Sequence, residues 1–532
     1  MGRRGQNKKA TKKASDENKN DLKTDDTDDL FALFQPMAPN KRAELNGIVE
    51  KLLNMSSNFT QDDPTTPSKL WAEFEEIYAT VQKIRNIEMQ ANMNRRLRGP
   101  RKMHVKPFLE WLDKYGAKIE GVEIADFANQ GLGLKVTKEL KKGDVVISIP
   151  RKVFMSTETA KHSSLSELVE KDPMLQRMPN VALALHLLVE KNSPASFWEP
   201  YINLLPSSYS TVLYFTPDDF KELRGSPALE DALKQFKYVA RQYAYFYRKF
   251  QSMLLRDYFT FDEYRWAVST VMTRQNQVSC GNHALDVYFF CISGSKYLSL
   301  HQVPTSDLSQ MTNTLIPFWD MSNHENGEMS TDFDDEKDCT LCMAQKDFKE
   351  GQQFTIFYGV RANIDLLVHN GFVFDANSND CLTLKLGISK NDPNAGHKFS
   401  FLEELSISRT GLFFVGNLTE KPLDPTLLGF LRVLCLTKDN IEDMKDKPDV
   451  IKSLILPEAN KEFAELDRRV YQYLETRCQL LLKSYPTSLE EDIELLAKKE
   501  ELSQKQYFCV LLRKQEKEML NGAITYCKTN LN

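Results

Sequence analysis

Two segments of this 532-residue chain carry side chains in settings where they could do chemistry. In the first, Phe354, Ile356 and Tyr358 alternate with Gln353, Thr355 and Phe357, so FTIFY reads as a largely buried strand. Gly351 starts it after the turn-like FKEG, and Gly359 stops it. Tyr358 therefore falls at a strand end, where the ring packs and the hydroxyl is left free to act. The second segment lies upstream. LIPFWDMSNH (Leu315 to His324) is an apolar, aromatic run that ends in Asn-His, and Asn323-His324-Glu325-Asn326-Gly327 is a polar, turn-forming cluster. Such a loop offers backbone donors and acceptors to a flat heterocycle. A core strand followed by a capped loop would explain either segment alone; the pair in this order and spacing favours a ligand site.

Composition narrows the function classes. Net charge is −5, so no global field draws the chain to nucleic acid. No apolar run is long enough to span a bilayer, and the N-terminus is too polar for a signal peptide. The nine cysteines are scattered, which suits reduced thiols in the cytoplasm, with the nucleus as a second compartment. Cys339 and Cys342 form a lone C-x-x-C without a second pair at zinc-finger spacing, so they read as hairpin residues and no metal site is expected.

The elements that must position these residues follow from periodicity. Residues 1–40 are polar and charged and read as a disordered tail. From 41 to 98, LNGIVEKLLNM and LWAEFEEIYATVQKIRNIEMQ have helical spacing and are expected to brace the next domain. A β-rich domain runs from 99 to 375, with strands in VEIADF, LGLKVTKEL and VVISIP. A helical insert at about 156–265 splits it, and His186 sits in that insert as a packed core histidine. Residues 376–525 read as a helical C-terminal domain. The fold class is α+β. Gly131-Leu132-Gly133 is a G-x-G followed by a strand rather than a helix, which rejects a dinucleotide fingerprint and leaves hairpin glycines or close backbone approach to a ligand.

The two segments resemble the signature motifs of the SET-domain methyltransferases. In that family they thread through each other, bury S-adenosylmethionine and place one tyrosine hydroxyl beside its methyl group. From about 95 to 525 the layout is similar to the SET enzymes related to Rubisco large-subunit methyltransferase, which have a helical insert and a helical substrate-binding domain. Within that group, RWAVSTVMTRQNQ (Arg265 to Gln277), ASFWEPYINLLPSSYSTVLYF, QYAYFYRKF and the two paired segments resemble the actin-histidine N-methyltransferase family.

The resemblance implies roles. Tyr358 and Asn276 would be catalytic, with the Asn276 amide holding the far nitrogen of a substrate imidazole. Trp319, Gln275, Ile316 and Arg361 would contact substrate. Arg101 and Arg274 would face the methionine carboxylate. The backbone of Gln130, Gly131 and Leu132 would line methionine and ribose, although many relatives have an acidic or aromatic residue in this segment. Asp320, Met321, Ser322, Asn323 and His324, with Asn370, Gly371 and Phe372, would enclose adenine. His324 reads as a packed, hydrogen-bonded residue rather than a base, and His369 as facing out of its short helix. The implied partner is actin; nucleic acid, membrane and a second copy of the chain are not expected. A lysine methyltransferase of the same fold stays open as an alternative. So does a non-catalytic binding module, should an insertion block the cleft.

That insertion is Val278 to Gln302, VSCGNHALDVYFFCISGSKYLSLHQ, where relatives have a short polar loop. Val-Ser can be encoded by a splice-donor-like GTAAGT, and a Gln codon can be the CAG that ends an intron. VYFFCI in an exposed loop also runs against the usual avoidance of apolar patches. The segment reads as a retained intron, with a genuine family-specific hairpin as the alternative.

Overall fold

A computed structural model describes residues 37–57, 66–90, 99–128, 130–250, 254–279, 311–416, 423–457 and 462–531. Residues 1–36 of the tail expected at 1–40, and all of the 278–302 insertion beyond Ser279, lie outside the described residues; Pro39 and Asn40 already open the first helix.

Helices Pro39–Ser57 and Pro67–Gln90 bury one stripe each, Leu45, Val49 and Leu52 on the first and Phe74, Ile77, Val81 and Ile84 on the second. Both pack on the long helix Ala228–Lys249. Polar ties reinforce the apolar contact. Lys237 pairs with Glu73 at 2.5 Å, and the buried Glu88 accepts the Tyr243 hydroxyl at 2.6 Å and the Phe261 backbone N–H at 3.0 Å. Phe261 opens the helix Phe261–Arg274, so the N-terminal pair steadies the element that ends at Arg274.

The β-rich part holds three small sheets. β1 (Lys118–Ile119), β4 (Val145–Pro150), β10 (Cys339–Met343) and β9 (Thr331–Asp334) lie side by side in that order. The second sheet runs β2 (Val122–Phe127), β3 (Gly131–Val136), β11 (Gln353–Ile356) and β8 (Asn323–His324). The third joins β5 (Met155–Ser156), β7 (Met311–Leu315) and β6 (Gln275–Ser279). Leu315 pairs with both Met155 and Gln275, so the chain leaves the third sheet at β5, makes its helical excursion and returns at β6. In that excursion, Pro179–Asn192 is apolar around most of its circumference and deeply buried, His186 included. Burial lowers the His186 pKa to about 4, as suits a neutral core histidine. Gly131 and Gly133 belong to the β2–β3 hairpin, and Cys339 and Cys342 to the β9–β10 hairpin.

The C-terminal part is not helical throughout. β12 (Leu382–Gly387) and β13 (Thr410–Val415) form an antiparallel pair with strict alternation in LTLKLG, ahead of the helices that follow. Its last helix, Gln504–Leu531, is shared between two cores. Cys509, Leu511 and Leu512 belong to the main core, whereas Leu520, Ala523, Ile524 and Cys527 belong to the C-terminal one. Between these halves Arg513 donates to Asp492 at 2.8 Å and to Glu222 at 2.6 Å, and Lys517 donates to Asp492 at 2.6 Å. Removing one partner from such a buried pair costs about 3–5 kcal/mol, so this cluster fixes the register of the two parts.

Candidate active site

The two signature segments meet through backbone pairing. β8 and β11 run parallel, with Asn323 opposite Thr355 and His324 opposite Ile356. The strand stops two residues before Tyr358, whose hydroxyl turns back to donate to the Ser322 carbonyl at 2.7 Å. The Tyr358 N–H donates to His324 Nδ1 at 3.2 Å, which requires that nitrogen to be unprotonated. Burial, and then the Arg361 charge, lower the His324 pKa to about 4, and its ring packs 5.1 Å from Tyr358 and 5.0 Å from Phe374. His324 is thus a packed acceptor and not a base. Burial pushes the Tyr358 phenol up to about 12, so its proton stays in place at neutral pH.

Asn276 reaches the same place from the third sheet. The helix Phe261–Arg274, capped by Thr260, ends where Gln275 turns extended, and Asn276 follows on β6 opposite Thr314. Gln275 and Gln277 on either side of it are tied together by Asn313, which donates to Gln275 Oε1 at 2.9 Å and accepts from Gln277 Nε2 at 3.2 Å. Asn276 is 2% exposed; its Nδ2 donates to the Arg274 carbonyl at 3.2 Å and its Oδ1 is buried without a partner.

Trp319 completes the wall. Phe318 before it has φ +71°, a left-handed conformation that costs a non-glycine residue about 1–3 kcal/mol and clusters at functional sites. Trp319 Nε1 donates to Thr331 Oγ1 at 3.0 Å, which fixes the indole plane. The resulting cleft, about 330 Å³ including its open mouth, is lined by Arg274, Gln275, Asn276, Trp319, Asp320, Ser322, Tyr358, Arg361 and Asn370, with Met272 and Thr273. Arg361 donates to Asn370 Oδ1 at 2.8 Å across its rim.

One end of the cleft is charged. Arg274 Nη1 donates to the Asp320 carbonyl at 2.7 Å and lies 3.4 Å from Asp320 Oδ2. Burial disfavours the Arg274 charge, but Asp320 together with Tyr209, Tyr201 and Tyr358 outweighs it, and the guanidinium is held above its ordinary value. Arg101 stands nearby; burial and then the Arg274 charge lower its pKa to about 10. Arg274 Nε, Asp320 Oδ1 and Ser322 Oγ are buried and unpartnered, as is Asn276 Oδ1. Four such atoms around one cleft mark a place built for a ligand. Their types fit S-adenosylmethionine: guanidinium groups for its carboxylate, and a polar turn near its heterocycle.

Comparison with known proteins agrees. The SET domain family model matches residues 131–359, and the Rubisco LSMT substrate-binding model matches 389–520. Actin-histidine N-methyltransferase of Homo sapiens is 38% identical over 493 residues, which cover 90% of this chain and 78% of that protein. The Danio rerio protein of the same name is 39% identical over 491 residues, 91% of this chain and 77% of that one. The chain belongs to the actin-histidine N-methyltransferase family. Its fold is that of Rubisco LSMT bound to AdoMet, with TM-score 0.62 at 20% identity over 81% of this chain and 92% of that one.

Not every expected residue of this SET protein reaches the cleft. Ile316 is fully buried and contributes its carbonyl to the Asp320 N–H, 3.2 Å, rather than a side chain to substrate. His369 does not face out. It is half-buried, and burial followed by the Arg361 charge lowers its pKa to about 4. Asn323 and His324 form a strand instead of a free loop, because β11 offers them a parallel partner. Gln130 sits at the exposed tip of the β2–β3 hairpin, within 3.4 Å of Asn323 Nδ2, so that hairpin does meet the Asn-His segment. Gly131 beside it has φ +72° with open space around it, and Leu132 is half-buried. Met321 is buried next to Asp320, and Phe372 packs 6.4 Å from the Tyr358 ring. Gly371, at φ +80°, ends the turn Leu366–Asn370, and a Cβ there would come 2.6 Å from the Thr211 nitrogen. That crossing alone demands glycine.

Tyr201 and Asn313 escaped the sequence reading. Tyr201 donates to the Asp320 carboxylate and Asn313 to the Gln275 amide oxygen, and nothing in the spacing of WEPYINLL or MTNTL marks a residue that buttresses a distant carboxylate or amide.

Proposed function

We propose that this chain transfers a methyl group from S-adenosylmethionine to a histidine side chain of actin. The observation that carries it is the Asn276 amide. Its Nδ2 donates to the Arg274 carbonyl, and its Oδ1 is a buried acceptor without a partner on a residue that lines the cleft. A neutral imidazole has one N–H and one lone pair on opposite sides of a flat ring. Donation of the N–H to Asn276 Oδ1 fixes the other nitrogen as the nucleophile and sets its direction. Lysine offers no such second group, and freeing its lone pair at pH 7 costs about 4–5 kcal/mol, whereas histidine with a pKa near ~6.5 is mostly neutral already.

The cofactor supplies an electrophilic methyl on a sulfonium. Trp319 and Tyr358 confine the imidazole plane, which aligns the in-line displacement. Asn276 Oδ1 would accept the ring N–H and hold the imidazole as positive charge develops on it, so this hydrogen bond would strengthen toward the transition state. The ring N–H proton is lost to water after release. Tyr358, held protonated, orders the carbonyl of Ser322 at the methyl-transfer end and does not act as a base. The accompanying expectation is a monomer in the cytoplasm, with nuclear entry as a second possibility to test by fractionation. Among the described residues no helix is long and apolar enough to cross a membrane.

The decisive experiment incubates the chain with methyl-labelled cofactor and actin, then hydrolyses the product. Methylhistidine at one mapped position supports the reading. Methyllysine supports the lysine alternative, and cofactor binding without turnover supports a binding module.

A further inference from the structure

The short helix Glu199–Leu204 of the insert touches both halves of the guanidinium pair. Tyr201 is 2% exposed, and its hydroxyl donates to Asp320 Oδ2 at 2.5 Å. That same oxygen lies 3.4 Å from Arg274 Nη1. Three residues on, one helical turn along the same face, the Leu204 carbonyl accepts Arg101 Nε at 2.7 Å. One element therefore sets the positions of Arg101 directly and of Arg274 through Asp320.

The charge balance says what this arrangement is for. Two guanidinium groups share the Asp320 carboxylate, and the Arg274 charge disfavours that of Arg101. The cluster has room for one more anion, and Arg274 Nε and Asp320 Oδ1 are buried with no partner. Asp126 also attracts Arg101, but less than Asp320 does, and its carboxylate is paired with Lys102 at 2.9 Å. Asp320 itself is free to swing only if its second tie is lost. Without the Tyr201 hydroxyl the carboxylate would be held by Arg274 alone and could collapse fully onto it, consuming the donors that a ligand carboxylate needs.

We infer that Tyr201 is a positioning residue for the carboxylate end of the cofactor: by restraining Asp320 it keeps the Arg274 fork open beside Arg101. This rests on the cofactor reading above and extends it to a residue of the helical insert.

The test is calorimetric binding by the full chain of two ligands, S-adenosylhomocysteine and 5′-methylthioadenosine. They share the thioether nucleoside and differ in the amino-acid arm. Wild type is expected to bind the first more tightly. Tyr201→Phe is expected to weaken S-adenosylhomocysteine about tenfold, the size of a charge-assisted hydrogen bond, and to leave 5′-methylthioadenosine within twofold. A general loosening of the site would weaken both equally and would overturn the inference, as would unchanged S-adenosylhomocysteine binding. Asp320→Asn removes the restrained charge with little change of shape and carries the same ligand contrast should Tyr201→Phe fold poorly. The double variant is expected to lose no more than Asp320→Asn alone; additive losses count against a shared path. If wild type binds neither ligand, the cofactor reading itself falls, an outcome distinct from equal losses in the variant.

Discussion

The two ends of the cleft handle polar groups in opposite ways. At one end the half-buried Arg101 and Arg274 and the buried Asp320 are charged; Arg274 pairs with Asp320, and both arginines donate to backbone carbonyls. At the other, Asn276, Trp319 and Tyr358 are neutral, and the open valence belongs to an amide oxygen. On the proposed reading, charge at the first end would supply affinity for the carboxylate of the cofactor's amino-acid arm before the reaction starts. Neutral groups at the second end contribute little affinity and instead select geometry, which pays off only as the methyl moves. If this division is right, variants at the two ends separate binding from turnover.

The largest expected effect is on turnover. Tyr358→Phe is expected to lower kcat about 100-fold, the usual loss of one preorganised donor in a transition state, with cofactor affinity within twofold. Weakened cofactor binding with unchanged single-turnover rates would erase the contrast. Arg274→Ala is the converse probe. Loss of a charge-assisted contact of about 1.5–3 kcal/mol predicts at least tenfold weaker cofactor binding by calorimetry. It also leaves the Asp320 carboxylate, whose pKa burial already raises, without its counter-ion, so the melting temperature falls too. A variant that bound cofactor normally would place the carboxylate elsewhere.

Asn276→Val sharpens the neutral end. It removes the acceptor for the far ring nitrogen and offers an apolar wall to an alkyl chain. The ratio of kcat/KM for a histidine peptide to that for the matching lysine peptide is expected to drop roughly tenfold, in line with about 1.4 kcal/mol for one hydrogen bond. An unchanged ratio would sink the role.

A smaller effect lies outside the cleft, in the acid that braces its delivery helix. Burial raises the Glu88 pKa to about 8, so the folded chain holds this carboxyl protonated at neutral pH while the unfolded chain does not. The folded value exceeds the unfolded one. The stabilising contribution is therefore complete below about pH 4.5 and is lost as pH rises through about 8. Glu88→Gln mimics the protonated form and keeps an acceptor for Tyr243 and Phe261. Its melting temperature is expected to match wild type near pH 5 and to exceed it by roughly 2 °C or more at pH 9. A gap that does not change with pH would show that Glu88 does not titrate in this range.

How far the sequence revealed this site depended on whether a residue acts by its own position or through another. Tyr358, Asn276, Trp319 and Arg274 sit at element ends, where a strand or helix stops and one side chain must point into the gap; their local patterns were readable, and family likeness told which of them mattered. Strand pairing was less legible. Asn323-His324 looks like a turn from composition, and only the arrival of β11 makes it a strand. The β12–β13 pair was hidden for a related reason: LTLKLG alternates, but it sits ahead of a long helical stretch and was absorbed into it. Tyr201 and Asn313 could not have been found from periodicity, since their partners lie 119 and 38 residues away.

The insertion at 278–302 gives the smallest expected effect and the sharpest test of how the neutral end is built. β6 pairs with β7 through Val278 opposite Thr312 and Ser279 opposite Met311, and the Val278 side chain is fully buried. A deletion starting at Val278 removes the last two paired residues of β6. The sequence at the far junction restores the first of them. Removing 278–302 joins Gln277 to Val303, so a valine again follows RQNQ and takes the buried register position opposite Thr312. Pro304 to Gln310 then remain to close the hairpin between β6 and β7, a length and polarity suited to a surface connection. Asn276, two residues before the junction, keeps its pairing with Thr314. The shortened chain is expected to methylate its substrate at least as fast as the full chain and to melt within about 1–2 °C of it, since Val303 would refill the buried position that Val278 leaves. Equal or better performance supports reading the segment as a retained intron that the sheet tolerates. Unfolding, or loss of histidine methylation with cofactor binding intact, would instead make it a working part of the cleft wall that Asn276 depends on.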